Sequence, residues 1–97
     1  MKLNDYAKLM QIRGSEIAHI DSHPSHEARF KAVIQAIIDA GIHPGPLAIG
    51  YALPNKIGNV RNLNGRESKW RREVLEANGF VQGESTGGHA GYWRKVA

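Results

Sequence analysis

The sequence predicts a mainly α-helical chain that closes on a small C-terminal β-hairpin, and three observations predict it. Phe30, Val33, Ile34, Ile37 and Ile38 recur at i, i+3, i+4, i+7 and i+8, which draws one apolar face on a helix. Asn64-Gly-Arg-Glu67 has the cap-x-x-Glu spacing that opens a second strong helix. Two short β-prone runs, FVQ at 80–82 and YWRKV at 92–96, flank the glycine-rich GESTGGHAG, as the arms of a hairpin flank its tip.

Taken in order, the elements follow from local chemistry. Leu3, Ala7, Met10, Gly14 and Ile17 alternate at spacings of four and three, with Tyr6 and Ile20 beside them. This predicts an amphipathic N-terminal helix over 3–20 that buries this stripe. Gly14 weakens it by roughly 1 kcal/mol relative to alanine, so a break is expected there, with Ser15 capping a second short helix. DSHPSH at 21–26 has the composition of a turn. The core helix then starts behind Ser25 as N-cap and ends where Gly41 can take a left-handed conformation. Pro46 opens a short helix over about 47–53, ended by Pro54. PNKIGNVRNLN has turn residues without a period, so a loop of about ten residues is expected, pinned by Ile57, Val60 or Leu63. Behind Asn64 a helix runs to Asn78 and stops at Gly79. On it Trp70, Val74 and Ala77 share the inner face, while Gly65, Lys69 and Arg72 point outward.

Composition excludes whole classes of function. A chain of 97 residues has room for one modest core, and 41% apolar with 23% charged residues is a globular balance. Without cysteine there are no disulfides, thiolate metal sites or thiol nucleophile. No run approaches the roughly 18 apolar residues of a membrane span, and the N-terminus lacks the apolar core of a signal peptide. A cytoplasmic, nucleoid-associated protein that does not engage membranes is expected.

The net charge of +4 is unevenly placed. Residues 1–50 hold five basic and five acidic side chains, which cancel. From Lys56 to Arg72, six positive charges (Lys56, Arg61, Arg66, Lys69, Arg71, Arg72) face one negative, Glu67. Such a density suits a polyanion, which gains by releasing its counterions.

From Ser25 onward the order is core helix, short helix, capped basic helix, then hairpin. This order, carried by Phe30, Val33, Ile34, Ile37 and Ile38, by PLAIGYAL, by NGRESKWRREVLEANGF and by FVQ and YWRKV around GESTGGHAG, resembles the winged helix-turn-helix family. The likeness covers about residues 25–97; residues 1–24 add an N-terminal helix and linker. One departure is the turn of about ten residues before the basic helix, where the compact motif uses about three or four.

The resemblance implies that the basic helix enters a DNA major groove and the hairpin touches the adjacent backbone. Arg66, Ser68, Lys69 and Arg72 are the residues suited to bases and phosphates, with Asn64 at the helix start. Arg61 and Asn62 precede the helix, placed to grip phosphate. In the wing, Ser85, Thr86 and His89 sit among glycines, and Arg94 and Lys95 add charge at its base.

Several residues have simpler roles. Trp70 is assigned to the core with Val74. Arg71, four residues after Glu67, has an intrahelical ion pair or a phosphate contact open to it. His19, His23 and His26 have spacings of four and three, but Pro24 interrupts any helix that would carry all three to a metal, so they read as solvated. GESTGGHAG lacks the lysine-serine or lysine-threonine ending of a nucleotide loop, and nothing marks a nucleophile elbow. The expectation is therefore a sequence-specific double-stranded DNA-binding protein, a small bacterial or phage transcriptional regulator without enzymatic activity, metal or cofactor. Its rival is a module that docks the basic face on an acidic protein, with structured RNA a third partner class. The N-terminal helix is left with two roles, packing on its own core or pairing residues 3–20 with a second copy as a homodimer.

Overall fold

The computed structural model describes residues 3–53, 63–83 and 93–95. Four helices, α1 (Leu3–Arg13), α2 (His26–Asp39), α3 (Pro46–Ala52) and α4 (Gly65–Ala77), precede two antiparallel strands, β1 (Phe80–Gln82) and β2 (Trp93–Lys95). The chain is mainly helical with a small two-stranded sheet near its C-terminus, as expected. The segment 54–62, with Ile57 and Val60, and most of the hairpin tip lie outside the described residues.

The middle of the core is α2, because its stripe is its most apolar face. Phe30, Val33, Ile34 and Ile37 are fully buried, and Ile38 packs at the edge. Each such side chain contributes about 1.5–3 kcal/mol by leaving water. The Ser25 hydroxyl accepts from the Ala28 N–H at 3.1 Å, which satisfies one of the orphan donors of the first turn. At the other end Gly41 takes φ +80°, its N–H donates to Ile38 O, and the Ile42 N–H donates to Ile37 O at 3.1 Å. This is a Schellman closure, and Ile42 seals it by burying its side chain.

The N-terminal segment departs from the expected stripe. Leu9 and Ile12 are the buried residues of α1, whereas Leu3 stays 83% exposed and Ile17 40% exposed. The helix stops at Arg13, so a stripe that needs Gly14 and Ile17 never forms, and two branched side chains at i and i+3 bury more apolar surface than Ala7 and Gly14. Ser15 makes no side-chain cap on the turn after it; its hydroxyl donates back to Ile12 O at 2.7 Å. Two 3-10 turns, Glu16–Ala18 and Ile20–Ser22, complete the path, and the first buries Ala18 against α2. Leu9 and Ile12 belong to the same core as Phe30, so α1 packs on its own chain through this pair.

Cations on α1 also close other helices. Lys8 Nζ donates to Ala40 O at the end of α2, and Arg13 reaches Tyr51 O and Leu53 O at the end of α3. A positive charge there satisfies orphan carbonyls and opposes the negative end of the helix dipole. Pro46 is the first residue of α3, and Ala48, Ile49, Gly50 and Ala52 are buried.

Two contacts set α4 on α2. Trp70 packs its ring 5.8 Å from Phe30, which fulfils its core assignment, and Val74 is buried beside it. At the far end Gln35 and Asn78 exchange amide hydrogen bonds of 2.8 and 3.0 Å. That amide pair occupies the last turn, so Ala77, expected inside, is exposed. Leu75 is fully buried instead, outside the main cluster and on a helix against which β1 packs. Gly79, at φ +82°, turns the chain into β1, whose register pairs Phe80 with Lys95, Val81 with Arg94 and Gln82 with Trp93.

Candidate nucleic-acid interface

The head of α4 is fixed by hydrogen bonds within the chain. Asn64 Oδ1 accepts from the Glu67 N–H at 2.8 Å, and Glu67 Oε1 accepts from the Asn64 N–H at 3.2 Å, the reciprocal pair expected from the spacing. The other oxygen of Glu67 accepts from His26 Nε2 at 3.1 Å. Arg29 Nη2 lies 2.9 Å from His26 Nδ1, and a guanidinium only donates, so Nδ1 is the acceptor and Nε2 carries the proton given to Glu67. Thus α2 holds the first turn of α4 through a histidine that reads as solvated in the sequence. Asn64, a candidate contact residue, lies at the surface but spends its side-chain oxygen on the cap.

Arg71 makes no ion pair with Glu67. Both oxygens of Glu67 are engaged, and Arg71 Nε donates instead to Pro44 O at 2.7 Å. Burial lowers the Arg71 pKa, yet a guanidinium stays charged in this range. Beside it His43, tilted on Phe80 at 6.1 Å, is held below the usual histidine value by burial first and by the Arg71 charge second. Arg71 therefore ties α4 to the link before α3 and is withdrawn from the outer face.

What remains outside is a basic ridge. Gly65, Lys69, Arg72 and Glu76, spaced four, three and four, run along the solvent side of α4, with Arg66 and Glu73 on one flank and Ser68 on the other; all are exposed. Among the described residues Lys8, Arg13, Arg29, Lys31 and Arg71 are tied to other elements or side chains. Within the same set Arg66, Lys69 and Arg94 make no side-chain hydrogen bond or ion pair, and Arg72 meets only Glu76 at 3.7 Å. The cations left untied thus gather on one helix face and on β2. Glu73 is neutralised by Lys31 at 2.6 Å, a contact that holds its carboxyl below the usual range.

Of the expected contact residues, Asn64, Arg66, Ser68, Lys69 and Arg72 share α4 and its cap, and Arg94 is exposed on β2. Arg61, Asn62, Ser85, Thr86 and His89 lie outside the described residues. Glu76 is the ridge residue that sequence reasoning missed, although its i, i+4 spacing from Arg72 marks it.

Among the described residues, two clefts flank α4. An open cleft of about 430 Å³ at the head of α4 is lined by His26, Asn64, Arg66 and Trp70, next to the ridge. A groove of about 380 Å³ lies between α2 and α4, where Lys31, Glu73, Gln35 and Asn78 are already paired with one another. Among the described residues no three metal-ligating side chains converge: His23 bonds Ile17 O, and His19 faces Asp21. No helix among them is long and apolar enough to cross a membrane. The chain matches no family model, no curated protein and no solved structure.

Proposed function

We propose that this chain is a sequence-specific double-stranded DNA-binding protein and a small transcriptional regulator, with α4 as the helix that enters the major groove. The observation that carries the reading is the distribution of untied cations among the described residues: most positive side chains there are spent on carbonyls, carboxylates or an imidazole, while Arg66, Lys69 and Arg94 are left to solvent. An α-helix fits the major groove, and arginine and lysine there can take guanine O6 and N7 or the flanking phosphates. The order α2, α3, α4 and hairpin supports a winged helix-turn-helix arrangement, in which α2 and α3 carry α4 and the strands act as a wing with Arg94 at its base. The chain works without a cofactor and performs no catalysis in this reading.

Fluorescence anisotropy with mixed-sequence duplex DNA tests it. Lys69→Ala and Arg66→Ala weaken binding while leaving the melting temperature in place, because both side chains are exposed. If both variants bind duplex DNA as the parent does, α4 is not the contact. If an acidic protein or structured RNA binds and duplex DNA does not, the partner class is wrong.

A further inference from the structure

On the α4 ridge, one carboxylate stands where a DNA-binding helix should least tolerate it. Glu67 is spent on the cap and on His26, and Glu73 on Lys31, so both carboxylates are already engaged within the molecule. Glu76 differs: it sits on the solvent ridge in line with Lys69 and Arg72, and its partner is Arg72, at 3.7 Å from Nε. Both side chains are more than half exposed, at 57% and 60%, so the pair contributes little to folding. Its consequence is for whatever the ridge touches.

We propose that Glu76 is a specificity-determining residue of this face, selecting a cytosine next to a guanine read by Arg72 and rejecting bare phosphate backbone. This rests on the DNA-binding reading above. Arg72 meets Glu76 through Nε, which leaves the two Nη groups of its fork for the O6 and N7 acceptors of guanine. A carboxylate only accepts hydrogen bonds, and the major groove offers it two base donors, cytosine N4 and adenine N6. Adenine sets its N7 lone pair beside N6, which repels the second carboxylate oxygen. Cytosine has no such acceptor next to N4, so it is the base chosen. Against random sequence the same charge meets phosphates and weakens the complex.

Selection from a randomised duplex pool, run in parallel with the parent protein and Glu76→Gln, reads this out. Glutamine keeps the shape but adds a donor, which suits the N6 and N7 pair of adenine. The expected result is a position enriched in cytosine for the parent that moves to adenine in the variant, with affinity for mixed-sequence duplex rising about three- to tenfold at low salt. An Arg72→Lys variant, which keeps the charge and loses the fork, should lose about tenfold preference for the neighbouring guanine. The same enriched base for parent and Glu76→Gln overturns the proposal, whether or not mixed-sequence affinity changes. Absence of duplex binding by the parent at low salt overturns the DNA-binding reading and this one with it.

Discussion

Lys69 and Arg71 are two positions apart and have opposite fates, because a helix turns by about 100° per residue. Lys69 stays in solvent, and Arg71 donates to Pro44 O, 27 positions away in sequence. Replacing Arg71 with alanine leaves a buried carbonyl unsatisfied, so a loss of about 1–3 kcal/mol of stability is expected, measured by denaturant titration, without change in base preference. Arg66→Ala and Arg72→Ala should instead cost about 1–3 kcal/mol on a preferred duplex and relax the preference. Next to Arg71, His43 supplies a pH dependence. Its folded value lies below the ordinary 6.5, so the unfolded chain binds that proton more tightly, and the contribution to stability is complete above that pH and lost as pH falls through it. A melting temperature that declines on acidification below 6.5, and declines less in His43→Asn, is the outcome to look for. Residue roles set by neighbours in sequence, such as the Asn64 cap and the Trp70 face, could be read in advance. Those set by distant partners, such as the Arg71 carbonyl and the His26 bridge to Glu67, 41 positions away, could not, because spacing carries no information about tertiary approach.

At the scale of elements, legibility followed the strength of the apolar repeat. The five-residue stripe of α2 and the box at Asn64 each have one physical solution, and both helices start and end within about a residue of expectation. In α1 the repeat with the right spacing runs through Ala7 and Gly14, which have little to bury, and the burial of Leu9 and Ile12 decides the phase. The two phases differ in a measurable way. Leu9→Ala should cost about 2–5 kcal/mol and Leu3→Ala less than about 0.5 kcal/mol, by thermal or chemical denaturation; equal losses would restore the other face. For α4, Asn64→Ala removes an N-cap and should cost about 1 kcal/mol. The cap lies beside Arg66, so the same variant should also weaken duplex binding by loosening the first turn that carries it.

For the whole molecule, one small core joins the four described helices, with α2 touching each of the others. Ile34→Ala should cost about 2–5 kcal/mol, a large share of the stability of a domain this size, and lower the melting temperature accordingly. The mainly helical architecture with its C-terminal pair of strands was legible from the apolar repeat, the cap spacing at Asn64 and the β-prone runs around glycines. The split of cations into tied and untied sets was not, since it depends on which carbonyls the fold leaves open to Lys8, Arg13 and Arg71. That split underlies the claim that α4 and β2 present a surface for duplex DNA. The most direct measurement is the affinity for mixed-sequence duplex DNA across a series of salt concentrations, for the parent and for the Arg66→Ala/Lys69→Ala double variant. For a face that neutralises about five phosphates, log K against log salt should fall with a slope of about −4 to −5, shallower by about two in the variant. A flat response, or the same slope for both proteins, would contradict it.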